Sequence, residues 1–358
     1  MKVIHLSEEA IGALLGGRGV LPAAEAVDCA LALGSFDGLH LGHLGLLNAL
    51  RAASDRLGLA AALFTFRRHP RQLLDPGRAP LLLTTWRERL ALFEADGIDL
   101  LVAADFCPSL ARTPYDDFVA LFLVRLLRMR HLIAGHDTHL GAGRGGSAAT
   151  LAALGRRLDF GFEIVPPLAL DGRTISSSAI RGLLAEGDVA GAARLLGRPY
   201  ALWGEVGPGD GRGRALGFPT ANLTPLEAHK LLPAPGVYAV RVLAPRDAVA
   251  TGSAPEGEGV VLEGLPRMDE QGRLSDLVPR AWRRLPAMLN HGRAPTFHRA
   301  PANPRLEVHL LDFSGDLRGR VLKVEWVARL REEREFPDPR ALIEQLERDA
   351  QAARQVLR

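Results

Sequence analysis

Apolar and polar positions repeat with two different periods along this chain, and the change from one to the other falls near Leu196. In the first half, Cys29-Ala30-Leu31-Ala32-Leu33 has no polar interruption, which suits a strand covered on both faces of a parallel sheet. Helical spacing follows from about Leu41 to Leu57, where Gly58 ends it, and Leu59 to Phe66 returns to strand. Thr85-Trp86-Arg87-Glu88 has capping-box spacing ahead of a helix to Asp96, and Ile98 to Ala104 is the next strand. Thr113-Pro114 supplies a cap and first-turn proline for a helix to about Arg130. Strand His131 to Ala134, a helix near Ser147 to Leu158 and strand Phe162 to Val165 complete the series. Such alternation predicts an α/β fold built on a doubly wound, Rossmann-like parallel sheet, whose ligands sit in loops at the carboxyl ends of the strands.

Beyond Leu196 glycine and proline become dense and the helical period is lost. Runs such as Gly236 to Val242 and Leu306 to Leu311 alternate with period two, which predicts antiparallel β-structure closed as a small barrel. Residues 243–285, rich in Gly, Pro and Arg, read as an extended loop or insertion, either a lid over a ligand or a surface loop. Asp338-Pro339 then caps a terminal helix with Leu342, Ile343, Leu346, Ala350 and Ala353 along one face. A length of 358 residues accommodates two such domains, expected at 1–190 and 191–358.

Composition narrows the function classes. Two cysteines, Cys29 and Cys107, make neither a disulfide scaffold nor a Cys-rich metal site and fit a reducing compartment. Glu8 and Glu9 stand where a signal peptide would be apolar, and no stretch approaches the roughly 20 apolar residues of a membrane span. A cytoplasmic location with no membrane partner is therefore expected. A net charge of +3 is a weak field for this length, and no basic run is interleaved with aromatics, so no nucleic-acid partner is expected either. Nothing in the chain calls for an obligate protein partner. Only Lys2, Lys230 and Lys323 are lysines, so any anion site must draw on Arg, His and backbone N–H groups.

The first candidate site follows the Cys29 strand, at Gly34-Ser35-Phe36-Asp37-Gly38-Leu39-His40-Leu41-Gly42-His43. Glycines let the backbone turn tightly against a ligand, and the helix beginning near Leu41 points free N–H groups and its positive dipole end at an anion. His40 and His43, three apart, share one face of the first turn, where each imidazole can donate to phosphate oxygens. The other reading is a metal site with Asp37 as third ligand; the strand-glycine-helix context favours phosphate. Gly141 to Gly146 formally fits G-x-G-x-x-G, but it follows the fourth predicted strand instead of the first, which argues against a dinucleotide fingerprint.

This turn resembles the G-x-F-D-G-x-H-x-G-H segment of nucleotidylyltransferases, specifically the bacterial bifunctional riboflavin kinase/FAD synthetases. Thr65-Phe66-Arg67-Arg68-His69-Pro70 resembles the family's T-F-x-x-H-P loop, and Leu83-Thr84-Thr85 the start of its next helix. Ile175-Ser176-Ser177-Ser178-Ala179-Ile180-Arg181 resembles I-S-S-T-x-I-R. In the second half, Gly211-Arg212-Gly213-Arg214-Ala215-Leu216-Gly217-Phe218-Pro219-Thr220-Ala221-Asn222 resembles the flavokinase segment nearly residue for residue. The resemblance spans the chain from about residue 28 to the final helix.

It implies two activities: ATP-dependent phosphorylation of riboflavin to FMN, and adenylylation of FMN by ATP to FAD with release of pyrophosphate. For adenylylation it implies ATP binding by Gly34, Phe36, Asp37, Gly38, His40, His43, Asp137, Arg173, Ser176, Ser177, Ser178 and Arg181, with Phe66, His69 and Pro70 at the flavin. Physically, the serine segment is a capped helix start with an arginine one turn in, suited to a triphosphate. For the kinase it implies ATP binding by Gly211, Gly213, Arg214, Gly217, Thr220 and Asn222, flavin contacts at Asn290 and Thr296, and Glu307 as the base that accepts the riboflavin 5′-hydroxyl proton. The residue types suit this chemistry: the hard oxygens of Thr220 and Asn222, two apart, fall on one side of an extended strand and suit Mg²⁺. No G-K-[ST] follows a glycine-rich loop anywhere, which excludes a P-loop kinase.

The chain departs from the family pattern at Arg67-Arg68, commonly an acidic residue and proline, at Thr138-His139-Leu140, commonly aromatic-rich, and at Thr174, where the usual arginine is displaced to Arg173. Ala294 stands where the kinase half commonly has arginine. The alternative these departures leave is a riboflavin kinase with a weakened or altered adenylyltransferase half. A basic barrel that binds nucleic acid is a second alternative, but the candidate strands show no basic, aromatic-studded face.

Overall fold

Strands Cys29–Leu33 and Leu100–Ala104 are buried at every position, as uninterrupted apolar runs require when helices cover both faces of a sheet. In the computed structural model, which describes residues 1–18, 27–209, 211–245, 282–292 and 305–358, they belong to the first of two compact units, Met1–Ile175. Its six parallel strands are β1 (Lys2–Leu6), β2 (Cys29–Leu33), β3 (Ala60–Phe66), β4 (Leu100–Ala104), β5 (Met129–Gly135) and β6 (Gly161–Val165), in the order β1-β4-β3-β2-β5-β6. Successive side chains point to opposite faces, so Leu31 and Phe64 enter one core with Phe122 while Ala32 and Leu63 enter the other with Leu47 and Phe93. A two-stranded hairpin, β7 (Ala169–Leu170) and β8 (Arg173–Thr174), closes the unit.

Two expectations need correction here. The Cys29 strand is the second in the chain, because Lys2–Leu6 pairs in parallel with β4 at the sheet edge and Ser7 caps a helix over Glu8–Leu15. Lys2 and His5 interrupt the apolar run, which an edge strand with solvent on one side tolerates. The helix expected to reach Arg130 ends at Leu126, after one turn at Tyr115–Asp117 and a π-helical stretch at Phe118–Leu126. Arg128 turns the chain with φ of 53°, so that β5 begins at Met129.

The second unit begins at Ser176 with the helices Ser177–Glu186 and Val189–Leu196. Its closed barrel contains β9 (Tyr200–Gly207), β10 (Ala221–Pro225), β11 (Gly236–Pro245), β12 (Trp282–Gly292), β13 (Arg305–Leu310) and β14 (Val321–Arg331). They run antiparallel in the order β10-β13-β12-β11-β14-β9. The stretch expected to be loop at 243–285 is strand at both ends, where Leu243–Pro245 pairs with Trp282–Arg284; residues 246–281, and with them any lid, lie outside the described residues. The terminal helix, Pro339–Leu357, is capped by the Asp338 carboxylate and sets Ala350 and Ala353 against Ala239, Met288 and Leu311. Among the described residues, no helix is long and apolar enough to cross a membrane.

Candidate active sites

The order of the sheet places its chemistry. The chain winds from β2 through β3 to β4 on one side and crosses to β5 and β6 on the other, so the carboxyl ends of β2 and β5 flank a topological switch point. The glycine turn leaves β2 there, the Phe66-His69-Pro70 loop leaves β3 beside it, and Asp137 follows β5 as an exposed residue. The structure therefore brings three of the sequence-predicted segments to adjacent strand ends.

Within the turn, Phe36, Gly38 and Leu39 all have positive φ, at 49°, 88° and 38°. Two of the three are not glycine, a backbone that persists only where neighbours over-determine it. Asp37 provides part of that constraint. Its buried carboxylate accepts from the backbone N–H of Leu83 and Thr84, at 3.2 and 2.9 Å, and from the Thr84 hydroxyl, while Thr84 Oγ1 accepts from Gly38 N–H at 2.8 Å. Phe36 is fully buried and packs edge-on against His43 at 5.3 Å and Phe93 at 5.6 Å.

His40 is the N-cap of the seventeen-residue helix Leu41–Leu57, its Nδ1 accepting from the backbone N–H of His43 at 3.3 Å. An accepting Nδ1 leaves Nε2 as the protonated nitrogen of the neutral ring. The rings of His40 and His43 stack with centroids 3.7 Å apart and 14° between planes. Gly42 keeps the space beside the His40 ring open, since a Cβ there would press on the ring at 3.2 Å. The spacing H-x-G-H thus has a steric cause as well as a chemical one.

Arg89 was not among the residues singled out from sequence. It is 3% exposed, on the helix Trp86–Ala95 that Thr85 and Glu88 start with a full capping box, and it donates to three backbone carbonyls. Nη1 reaches Ser35 O at 2.9 Å and Phe66 O at 3.0 Å, and Nη2 reaches Arg67 O at 2.9 Å. The available signal was its position: Trp86, Arg89 or Leu90, and Phe93 form one helical stripe, and a charge on a core-facing stripe needs a partner. Arg67, one of the departures, pairs outward with His5 at 3.1 Å and Asp105 at 3.7 Å. His69 Nδ1 accepts from Arg71 N–H, and Phe66 packs edge-on against Phe64 and Phe106. Cys29 is no nucleophile: burial, and then the nearby Asp28, push its thiol up to about 12.

Arg173 is exposed on β8. Ser176 caps the helix Ser177–Glu186 through Ala179 N–H at 3.2 Å, and Ser177, Ser178 and Arg181 lie in its first turns. These four belong to the second compact unit.

In the barrel the site is laid out by strand register. Asn222 on β10 stands directly opposite Glu307 on β13, and Glu307 directly opposite Asn290 on β12. Directly opposed residues of antiparallel strands share one face, with Cβ atoms roughly 5 Å apart. Leu306 and Val308 point the other way and are buried. The row Asn222, Glu307, Asn290 joins residues expected to serve phosphate, proton and flavin. Thr296 lies outside the described residues.

Gly211 and Gly217 take φ of 69° and 81° in the loop before β10. A Cβ on Gly209 would overlap the Asn222 amide, and one on Gly213 would overlap the Phe218 carbonyl and come within 3.1 Å of Thr220 Oγ1. The glycines thus let backbone close around the two oxygen-bearing side chains while Arg214 stays exposed. His309, two residues past Glu307, holds this loop in place through a 2.8 Å hydrogen bond between Nδ1 and Pro219 O, with its ring 5.2 Å from Phe218. Sequence reading missed His309, although the period-two alternation puts it on the face of Glu307.

A family model described as FAD synthetase matches residues 23–179, and one described as riboflavin kinase matches residues 196–357. A bifunctional riboflavin kinase/FMN adenylyltransferase of Escherichia coli K12 is 34% identical, over 96% of this chain and 97% of its own. Proteins of that name from Haemophilus influenzae and Bacillus subtilis are each 33% identical, covering 91% and 90% of this chain and 93% and 90% of their own. Among solved structures, one described as a macrolide-efflux protein of Streptococcus pneumoniae superposes with a TM-score of 0.77 at 26% identity, over 99% of both chains.

Proposed function

The chain belongs to the bifunctional riboflavin kinase/FMN adenylyltransferase family, and from that membership we propose how its residues divide two consecutive reactions. It is a kinase and a nucleotidyltransferase: it phosphorylates riboflavin to FMN with ATP, and adenylylates FMN with ATP to FAD, releasing pyrophosphate. We place the functional boundary at residue 190, with adenylylation in 1–190 and phosphorylation in 191–358. A cytoplasmic location without membrane, nucleic-acid or obligate protein partners completes the reading.

In the barrel, Glu307 accepts the proton of the riboflavin 5′-hydroxyl as that oxygen attacks the γ-phosphorus of ATP and ADP departs. The observation that carries this is the register row, which sets Glu307 between Asn222 on the phosphate side and Asn290 on the flavin side. Backbone N–H groups of Gly211, Gly213 and Gly217, with Arg214, take the phosphates. The donor set of Thr220 and Asn222 fits Mg²⁺, a hard cation that usually takes only one or two protein oxygens and completes its shell with phosphate and water. Gly209 and Gly213 allow the backbone to lie against these two side chains where a Cβ would collide with the Asn222 amide or crowd Thr220 Oγ1. When bound, the ion supplies charge neutralisation on the phosphates.

In the adenylylation half, residues 1–190, an oxygen of the FMN phosphate attacks the α-phosphorus of ATP and pyrophosphate leaves. The nucleophile is already anionic, so little proton transfer is required, and positioning with charge stabilisation provides most of the rate. His40 and His43 donate to phosphate oxygens at a helix N-terminus; Gly34, Phe36, Asp37 and Gly38 shape the turn that presents them. Asp137, Arg173, Ser176, Ser177, Ser178 and Arg181 are the further ATP-binding residues of this reaction, and Phe66, His69 and Pro70 receive the flavin. The chain's three lysines are not needed at either site.

Incubating the purified chain with riboflavin, ATP and Mg²⁺ tests the reading through its products. FMN followed by FAD is expected. FMN accumulating without FAD would reduce the protein to a kinase.

A further inference from the structure

We propose that Arg89 is a positioning residue of the adenylylation site, whose guanidinium fixes the spacing between the histidine-bearing turn after β2 and the Phe66-His69-Pro70 loop after β3. The inference rests on the assignment of those two loops to ATP phosphate and FMN.

The physical need for such a residue arises where the sheet stops. The parallel ladder between β2 and β3 makes its last bond from Gly34 N–H to Phe64 O, at 3.1 Å, and beyond it the two chains part. On the side facing β2, the carbonyls of Ser35, Phe66 and Arg67 are then past the reach of the β2–β3 ladder, while on the other side Phe66 still pairs with Ala104 of β4 and Arg67 N–H donates to Ala104 O at 3.1 Å; Arg89 donates to all three carbonyls. One planar group thereby continues the link between β2 and β3 beyond the end of their shared ladder. A guanidinium suits the task because its donors diverge in a fixed plane, whereas an ammonium is a point charge that cannot span two loops in a defined orientation. The geometry is further restricted by Trp86, whose ring lies 5.1 Å from the guanidinium carbon.

Arg89 also completes a two-sided grip. From one direction the Asp37 carboxylate holds Leu83 and Thr84; from the other, five residues further along the same segment, Arg89 holds Ser35. The turn is therefore anchored twice to residues 83–89, but the flavin loop is joined to that segment through Arg89 at Phe66 and Arg67. Releasing Arg89 should free the flavin side while the phosphate side stays anchored by Asp37 and Thr84. A displacement of about 1 Å between two reacting partners costs on the order of 100-fold in rate, so the spacing matters even though Arg89 touches neither substrate.

The test compares Arg89→Met, which keeps length and removes the donors, with Arg89→Lys, in steady-state assays of FMN to FAD and of riboflavin to FMN on the full chain. For Arg89→Met the KM for FMN should rise about tenfold or more and the adenylylation kcat should fall, with the KM for ATP within about twofold and riboflavin phosphorylation unchanged. Arg89→Lys should recover part of the loss. Hydrogen exchange of peptides covering residues 64–70 should accelerate in Arg89→Met more than that of peptides covering 36–43. An unchanged KM for FMN, or a uniform fall in kcat of both reactions with every KM constant, would overturn the proposal, since the latter reports fewer folded molecules and not a displaced loop. Failure of the unsubstituted chain to adenylylate FMN would instead refute the assignment of the site. The exchange experiment would still decide whether Arg89 joins the two loops.

Discussion

The two halves arrange their proposed sites by different means. In the sheet unit the proposed histidine turn and the His69-Pro70 loop lie beyond the strand ends, and a turn with three positive-φ residues is kept in shape by a buried carboxylate and a buried guanidinium. In the barrel the proposed row lies on the strands themselves, where the hydrogen-bonded register of β10, β13 and β12 aligns Asn222, Glu307 and Asn290. A loop-built site is therefore sensitive to clamps remote from the chemistry. A strand-built site is sensitive to the few residues in the row and to the glycine loop folded over it.

The contrast is broken most directly by disabling one site and reading the other. Glu307→Gln should lower FMN formation by roughly 10² to 10⁴-fold, the usual worth of a general base, while conversion of supplied FMN to FAD is retained. His43→Ala should do the reverse, costing adenylylation roughly 10² to 10³-fold, as loss of one preorganised donor does, with phosphorylation intact. If either substitution removes both activities, the sites are not independent. Gly213→Ala sharpens the comparison at the loop: its Cβ would overlap the Phe218 carbonyl, so the KM for ATP in the kinase reaction should rise about tenfold while adenylylation is untouched. An unchanged kinase KM would mean that the loop moves aside freely.

The smallest expected effect concerns pH. Burial holds the His291 imidazole below its ordinary value of 6.5, with Nδ1 hydrogen-bonded to Pro233 O at 2.8 Å. On unfolding the ring recovers its ordinary affinity, so the unfolded chain binds more protons below about pH 6.5, and stability present above that value is lost as pH falls through it. Thermal unfolding of the barrel, followed by fluorescence of its buried Trp326, should shift down between pH 7.5 and 5.5. The shift should shrink in His291→Asn, and an equal shift in that variant would remove His291 as the cause. His131 in the sheet unit is displaced in the same direction by burial, so a whole-chain measurement alone would mix the two units.

Much of this molecule was legible before its fold was known. The apolar run at Cys29–Leu33, the capping box at Thr85 and the H-x-G-H turn are all local patterns, and each forms the element its spacing predicts. The edge strand Lys2–Leu6 was less legible because solvent on one side removes the need for a continuous apolar run. Spacing singled out both histidines, because the first turn of a helix depends on residues within a few positions of one another, whereas Glu307 was singled out by the family resemblance.

Partnership between distant segments was not encoded that way. Arg89 meets carbonyls 54, 23 and 22 residues away, His309 meets Pro219 90 residues away, and Glu307 finds Asn222 only through the pairing of β10 with β13. Sequence singled out the residues proposed to bind phosphate or take a proton, and those that cap helices. Strand order and register decided which of them face one another, because those contacts are set by hydrogen bonding and burial across the whole sheet or barrel and leave no period along the chain.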